Sequence, residues 1–428
     1  MRCLRLIVLL PWTFLPSIVS GSTPTLEERA RAIHERVLSI DTHVDVLLPS
    51  TPSQYFGPDG KSRAELSKIR RGGVDVITLA LAVGPGPRTP QGLLEARNEV
   101  TQKLAEIRRF VGSEPANVEI ALSSRDIERI HTSGKVAVLT SFLNARSIGT
   151  DIAAIDYLYK SGVRLFGFTH AGNNYFADSS RPTAPETREH GGLSTLGRLA
   201  VAKLNDLGVI IDISQLTPEG VAQVLSLTRA PVIASHSAAR ALVDHPRNLS
   251  DVELDAIKAN GGIVSVTPFH TYIAPLPPDL VDKVRALRLE FGLSTDFTPN
   301  LVGFTDGAQS LPPEGRGLFF NRFNSLRSRA TVSNYVDHID YIGKRIGFEH
   351  VGIGSDFNHG SGIEGFDDEG DALNITREFV RRGYTESQIA SVWGGNFLRV
   401  FRAVERVAGN SSLGADGAPP ATLAPTGY

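Results

Sequence analysis

Eight short apolar runs, alternating with amphipathic stretches, limit the fold of this chain more than any other feature. They fall at residues 37–44, 74–83, 135–142, 163–170, 209–214, 232–236, 262–267 and 351–357. Helical patterns lead in at 26–37, behind Thr25 as a cap, and follow at 93–110, 152–160, 196–207, 219–227, 251–259 and 331–346. Strand-length runs alternating with helices predict a parallel sheet, and at this count a (β/α)8 TIM-type barrel in one domain. An open doubly wound sheet is the alternative. No Gly-x-Gly-x-x-Gly follows the first run, so the dinucleotide-binding version of that fold lacks support.

The length of 428 residues suits one such barrel with an insertion, here a Pro- and Gly-rich stretch near 269–329 with aromatics at Phe319, Phe320 and Phe323. A stretch of that kind is either a lid over a site or an excursion packed on its own aromatics. With 41% hydrophobic and 21% charged residues and a formal charge of -2, the chain has an ordinary globular composition without a basic patch, which excludes nucleic acid as an expected partner. Arg2 and Arg5, the apolar run 6–19 and the small residues Ser20-Gly21-Ser22 read as a signal peptide over residues 1–22. The expected location is therefore secreted or periplasmic, with no membrane anchor after cleavage. The single cysteine, Cys3, leaves with that leader, so the mature chain has no disulfide and no cysteine ligand. Residues 23–408 form the expected barrel, and 409–428 read as a disordered tail.

Chemistry-bearing residues collect at the ends of the apolar runs. His43 and Asp45 are two apart, so on a strand they share a face. A neutral imidazole and a carboxylate aimed one way suit a divalent metal such as zinc. His170, His236 and Asp356 end three later runs. In a barrel, such ends converge on one mouth. His190 and His359 are read as surface residues or as residues behind the metal ligands.

Longer landmarks surround these positions. They are Asp41-Thr42-His43-Val44-Asp45, Gly167-Phe168-Thr169-His170 with Asn173 and Asn174, Gly191-Gly192-Leu193-Ser194, and Pro231 to Ser237. Further along come His245-Pro246-Arg247-Asn248, Gly261-Gly262-Ile263-Val264, Gly352-Ile353-Gly354-Ser355-Asp356-Phe357 and Gly394-Gly395-Asn396-Phe397-Leu398-Arg399. In this order and spacing they resemble the membrane (renal-type) dipeptidases, peptidase family M19, a branch of the metal-dependent hydrolases, over about residues 40–404. The resemblance implies a dinuclear zinc site that hydrolyses dipeptides, with a hydroxide between ions about 3.5–4 Å apart attacking the carbonyl. By that resemblance His43, Asp45 and Asp356 hold the first metal, and Asp356 also handles the proton. His236 belongs to the second metal, His170 steadies the oxyanion, and Arg247 holds the substrate carboxylate. A homodimer is compatible with the resemblance.

Two positions depart from the family pattern. Leu143 stands where the bridging glutamate of Glu-Gly-Gly-His-x-Ile belongs, and Asp212-Ile213-Ser214-Gln215 replaces Asp-x-Ser-His. The second metal thereby loses two of its three protein ligands, while Asn144 is a candidate to compensate. The expectation is a zinc metallodipeptidase using one ion, with an atypical pair as the variant. Two other readings stay open: a catalytically silent ligand-binding homologue, and an amidohydrolase acting on an N-acyl or lactam substrate.

Overall fold

The computed structural model describes residues 24–183, 188–297, 301–326 and 330–410. Nine parallel strands form one sheet: β1 (Ile40–Asp45), β2 (Val76–Ala82), β3 (Val118–Ile120), β4 (Val136–Leu143), β5 (Val163–Gly167), β6 (Ile210–Asp212), β7 (Ile233–Ser237), β8 (Ile263–Val266) and β9 (Val351–Ile353). The sheet order is β1-β2-β4-β5-β6-β7-β8-β9, and short β3 pairs with β4 outside this circuit. The ring closes where the amide of Asp45 donates to Phe357 O at 3.0 Å and that of Asp356 donates to His43 O at 2.8 Å. The result is a (β/α)8 barrel. All eight expected strands are its staves, several of them shorter than the apolar runs, and β3 is a ninth strand beyond the expected eight.

Side-chain alternation separates two cores. Ile77, Leu79, Leu81 and Val83 pack outward with Ala96, Val100, Leu104 and Ile107 of the helix Pro90–Ser113. Ile40, Val76, Ile210, Ile233 and Ile263, each the first residue of its strand, cluster instead with Phe397, Val400, Phe401 and Val404. These last four come from the final helix, Asn396–Asn410, which therefore seals the N-terminal end of the barrel. Asn396 fixes that helix by donating to the carbonyls of Phe348 and Val351 at 2.7 and 2.8 Å. Gly394 precedes it because a Cβ there would lie 2.4 Å from Leu38 O.

The opposite end, where the strands finish, forms the mouth. Among the described residues four non-glycine residues have positive φ, and all lie just beyond strand ends there: Asn144 (87°), Gln215 (72°), Asp356 (53°) and Asn358 (66°). Such backbone is disfavoured for side-chain-bearing residues and collects at functional sites. The insertion after β8 holds the helices His270–Ile273, Leu280–Glu290, Leu301–Thr305 and Pro313–Leu326. It packs on its own core of Leu280, Val284, Leu287, Phe304, Phe319 and Phe323. The expected leader over residues 1–22 and the tail from residue 411 lie outside the described residues, and Gly409 and Asn410 belong to the final helix. Among the described residues no helix is long and apolar enough to cross a membrane.

Candidate active site

Asp41 builds the site from beneath. Its Oδ1 accepts from the amides of His43 (3.0 Å) and Ser355 (2.9 Å), which fastens β1 to the segment after β9 and brings Asp356 beside His43. His43 Nε2 then lies 3.3 Å from Asp45 Oδ1 and 3.8 Å from Asp356 Oδ1. The three residues offer ligand atoms that all fall within 4.8 Å of one another. Both His43 Nε2 and Asp45 Oδ1 are buried without a hydrogen-bond partner. Leaving such atoms unsatisfied costs roughly 1–3 kcal/mol each, and a divalent cation at their common focus removes that cost.

The electrostatics point the same way. Burial works against a charged His43, yet the neighbouring Asp45 and Asp356 carboxylates outweigh it and raise its pKa. A field that favours a proton on this imidazole also favours a metal cation in the proton's place. Burial pushes Asp356 above the usual carboxylate range, against the pull of His359 and His43. Asp45 is also buried, but His359 and His43 overcome that and hold it well below its usual value. Two carboxylates of one cluster are thus separated in proton affinity.

The second-metal residues make a different arrangement. Leu143, at the end of β4, is buried against Ala80 and Ala82. Gln215 brings its amide nitrogen to 3.0 Å from His236 Nε2, while His236 Nδ1 is 2.7 Å from Ser235 Oγ. Asp212, His236 and His43 do bring ligand-type atoms within 4.8 Å of one another. The oxygens of Asp212, however, already accept from the amides of Ser214 and Ser235 and from the Ser235 hydroxyl. Asn144 does not compensate, because its amide nitrogen donates to Val83 O at 2.8 Å and its oxygen accepts from Asn174 at 2.9 Å. The set of His43, Asp45 and Asp356 keeps unpartnered ligand atoms for a metal, whereas the ligand atoms of Asp212 and His236 already accept hydrogen bonds.

His359 lies at the site, behind the candidate ligand Asp45 rather than on the open surface. Its Nδ1 lies 2.9 Å from Asp45 Oδ2, its Nε2 is 3.2 Å from His170 Nε2, and its ring stacks on Tyr55. Folding across the mouth, rather than proximity in the chain, makes this contact. His190 stays out of the cluster, with Nε2 bound to Asn174 O at 2.8 Å. Burial, followed by the charges of His359 and Arg181, holds His170 well below the usual histidine pKa, so it is neutral. Arg247 is buried, donates to His236 O at 2.6 Å, and lies 5.5 Å above the ring of Tyr272, which belongs to the first helix of the insertion. Its Nε is buried with no partner. A cavity of about 480 Å³ is lined by Asp45, His170 and His359 on one side and by Leu48, Tyr55 and Glu95 among others.

A parallel barrel with imidazole and carboxylate donors converging at its mouth is the arrangement of a metal-dependent hydrolase. The model of the membrane dipeptidase family, peptidase family M19, matches residues 27–414, and the chain belongs to that family. A solved structure described as the probable dipeptidase PvdM from Pseudomonas aeruginosa is 38% identical, with a TM-score of 0.78, covering 90% of this chain and 99% of that one. Dipeptidase tcpJ of Claviceps purpurea (strain 20.1) is 31% identical over 308 residues, covering 72% of this chain and 60% of its own length. Dipeptidase aclJ of Aspergillus oryzae is 28% identical, covering 81% and 71%. The fold is shared with a metallopeptidase from Rhodobacter sphaeroides at 21% identity and a TM-score of 0.66.

Proposed function

We propose that this chain is a metallodipeptidase that works with one zinc ion held by His43, Asp45 and Asp356. The observation that carries this reading is the pair of buried, partnerless atoms, His43 Nε2 and Asp45 Oδ1, facing Asp356. Three protein ligands with one open position is the usual arrangement of a catalytic zinc. The names of the curated dipeptidases support the substrate class.

A zinc ion in this site supplies Lewis acidity toward water and the scissile carbonyl. The chain's own residues bind, orient and move the proton. Asp356, pushed above the usual carboxylate range by burial, is suited to accept a proton from the attacking water and pass it to the leaving amine. Arg247 keeps its charge despite burial and offers a carboxylate two parallel hydrogen bonds. His170, being neutral, donates to a developing oxyanion without adding a charge. Its Nε2 lies 3.2 Å from His359 Nε2. The cavity beside it is of a size for a dipeptide. We read residues 1–22 as an export leader, so the working enzyme is secreted or periplasmic, and the N-terminal sequence of the exported protein tests this.

Hydrolysis of a dipeptide panel by residues 23–428, with zinc and with a chelator control, tests the activity. Chelator-sensitive turnover is the expected result. Ligand binding without turnover, indifferent to chelator, would mark the silent binding protein that Leu143 and Gln215 favour. Turnover of N-acyl amino acids or lactams but not of dipeptides would mark an altered amidohydrolase.

A further inference from the structure

We infer that the Arg181 guanidinium, held through the Gln215 amide, takes the place of a second metal ion, so that this mouth pairs one metal site with one resident organic cation. The inference rests on the one-metal dipeptidase reading and adds the group that supplies the missing positive charge. Arg181 Nη2 donates to Gln215 Oε1 at 3.0 Å. A guanidinium only donates, so the amide orientation is set: its oxygen faces Arg181 and its NH2 faces His236. The NH2 then donates to His236 Nε2 at 3.0 Å, which makes that nitrogen the one with the lone pair. The ring proton therefore lies on Nδ1 and goes to Ser235 Oγ, whose own hydrogen goes to Asp212 Oδ2.

Every donor in this chain, from Arg181 through Gln215, His236 and Ser235 to Asp212, points in one direction. The lone pair that would bind a second metal is already an acceptor. No carboxylate bridges from β4, since Leu143 is buried there. Gln215 and Arg181 are both fixed by backbone. Gln215 O accepts from Thr169 Oγ1 at 3.0 Å and from the Ser180 amide at 2.8 Å, and its left-handed φ of 72° turns the side chain off the strand line. The Arg181 amide donates to Ser179 Oγ at 3.1 Å, the Gly172 amide donates to Arg181 O at 2.8 Å, and Ser179 pairs with Leu216. Arg181 Nε is buried and partnerless, which leaves a donor for a substrate carbonyl oxygen. The charge reaches His170, Arg247 and His245, so Arg181 belongs to the mouth electrostatically as well.

Metal-free protein reloaded with excess zinc and desalted should carry one zinc per chain by elemental analysis; two would overturn the inference. In the L143E/Q215H background, which restores the family donors, adding R181M should tighten binding of a second zinc about tenfold or more, because a like charge is removed. Equal affinity with and without Arg181 would overturn its part. Neither measurement needs turnover, so a failure of the dipeptidase reading remains distinguishable. Should the Leu143→Glu chains not fold, kinetics of the otherwise intact protein decide. R181M should lower kcat about 100-fold with KM within about threefold, and R181K should restore part of the loss. A change confined to KM, or none, would overturn the inference.

Discussion

His359 touches two residues of the proposed reaction, holding Asp45 Oδ2 through one ring nitrogen and facing His170 through the other. Groups that orient a metal-binding carboxylate typically set 10- to 100-fold of metal affinity or activity. His359→Ala should accordingly weaken zinc affinity by about 10- to 100-fold, measured by competition with a chromophoric chelator. Arg247→Ala should raise KM for substrates with a free carboxylate by roughly 10- to 150-fold, the equivalent of losing about 1.5–3 kcal/mol of a charge-assisted contact. The same variant should lose its discrimination against carboxamide-blocked dipeptides; a KM that does not move removes Arg247 from the substrate site. The sequence offers His43, Asp45, His170, His236, Arg247 and Asp356 as candidates because each belongs to a recognisable run or motif. It does not place Arg181 and His359 among them, since their partners Gln215 and Asp45 are brought to them only by loops folding over the mouth.

The helix Val332–Ile346 carries a buried histidine with no catalytic duty. His338 Nδ1 accepts from the Ala239 amide at 3.0 Å, which ties this helix to the segment after β7. Burial lowers its pKa from 6.5 to about 4. Between those values the unfolded chain binds the proton and the folded chain does not, so stability falls as pH drops through the window. The contribution lost is roughly 3 kcal/mol. His338→Gln keeps a donor and an acceptor but cannot titrate, so urea unfolding at several pH values should show an acid loss smaller by that amount between pH 6.5 and about 4. An identical pH dependence in both proteins would show that His338 is not the group responsible. At this scale the strands were easy to read, because staves covered on both faces are continuous apolar runs. Their ends were less legible: β5 and β9 stop at Gly167 and Ile353, and His170 and Asp356 occupy the irregular backbone beyond. Short β3 carries too few apolar residues to register as a run.

Across the whole molecule, the mouth that does chemistry and the end that is sealed are made by different parts of the chain. Phe397 and Phe401 join the first residues of five strands in one cluster. Phe401→Ala should cost about 3–5 kcal/mol in global stability, read by denaturant unfolding, while leaving the zinc count of the folded protein unchanged. A loss of zinc at full stability would contradict this division of labour. The circular order of the sheet, with Val44 pairing with Phe357, was foreseeable from eight alternating units. The second purpose of Gly394-Gly395-Asn396 as the seat of the sealing helix needed the approach to Leu38 O to be seen.

That sealing helix has a consequence for how the protein comes into being. A ribosome delivers β1 long before Phe397 to Val404, yet Ile40 packs in one cluster with them. Stretches of chain that stop short of this helix therefore leave the apolar first residues of the staves open to chaperones and proteases, and folding of the barrel waits for its last helix rather than for its first units.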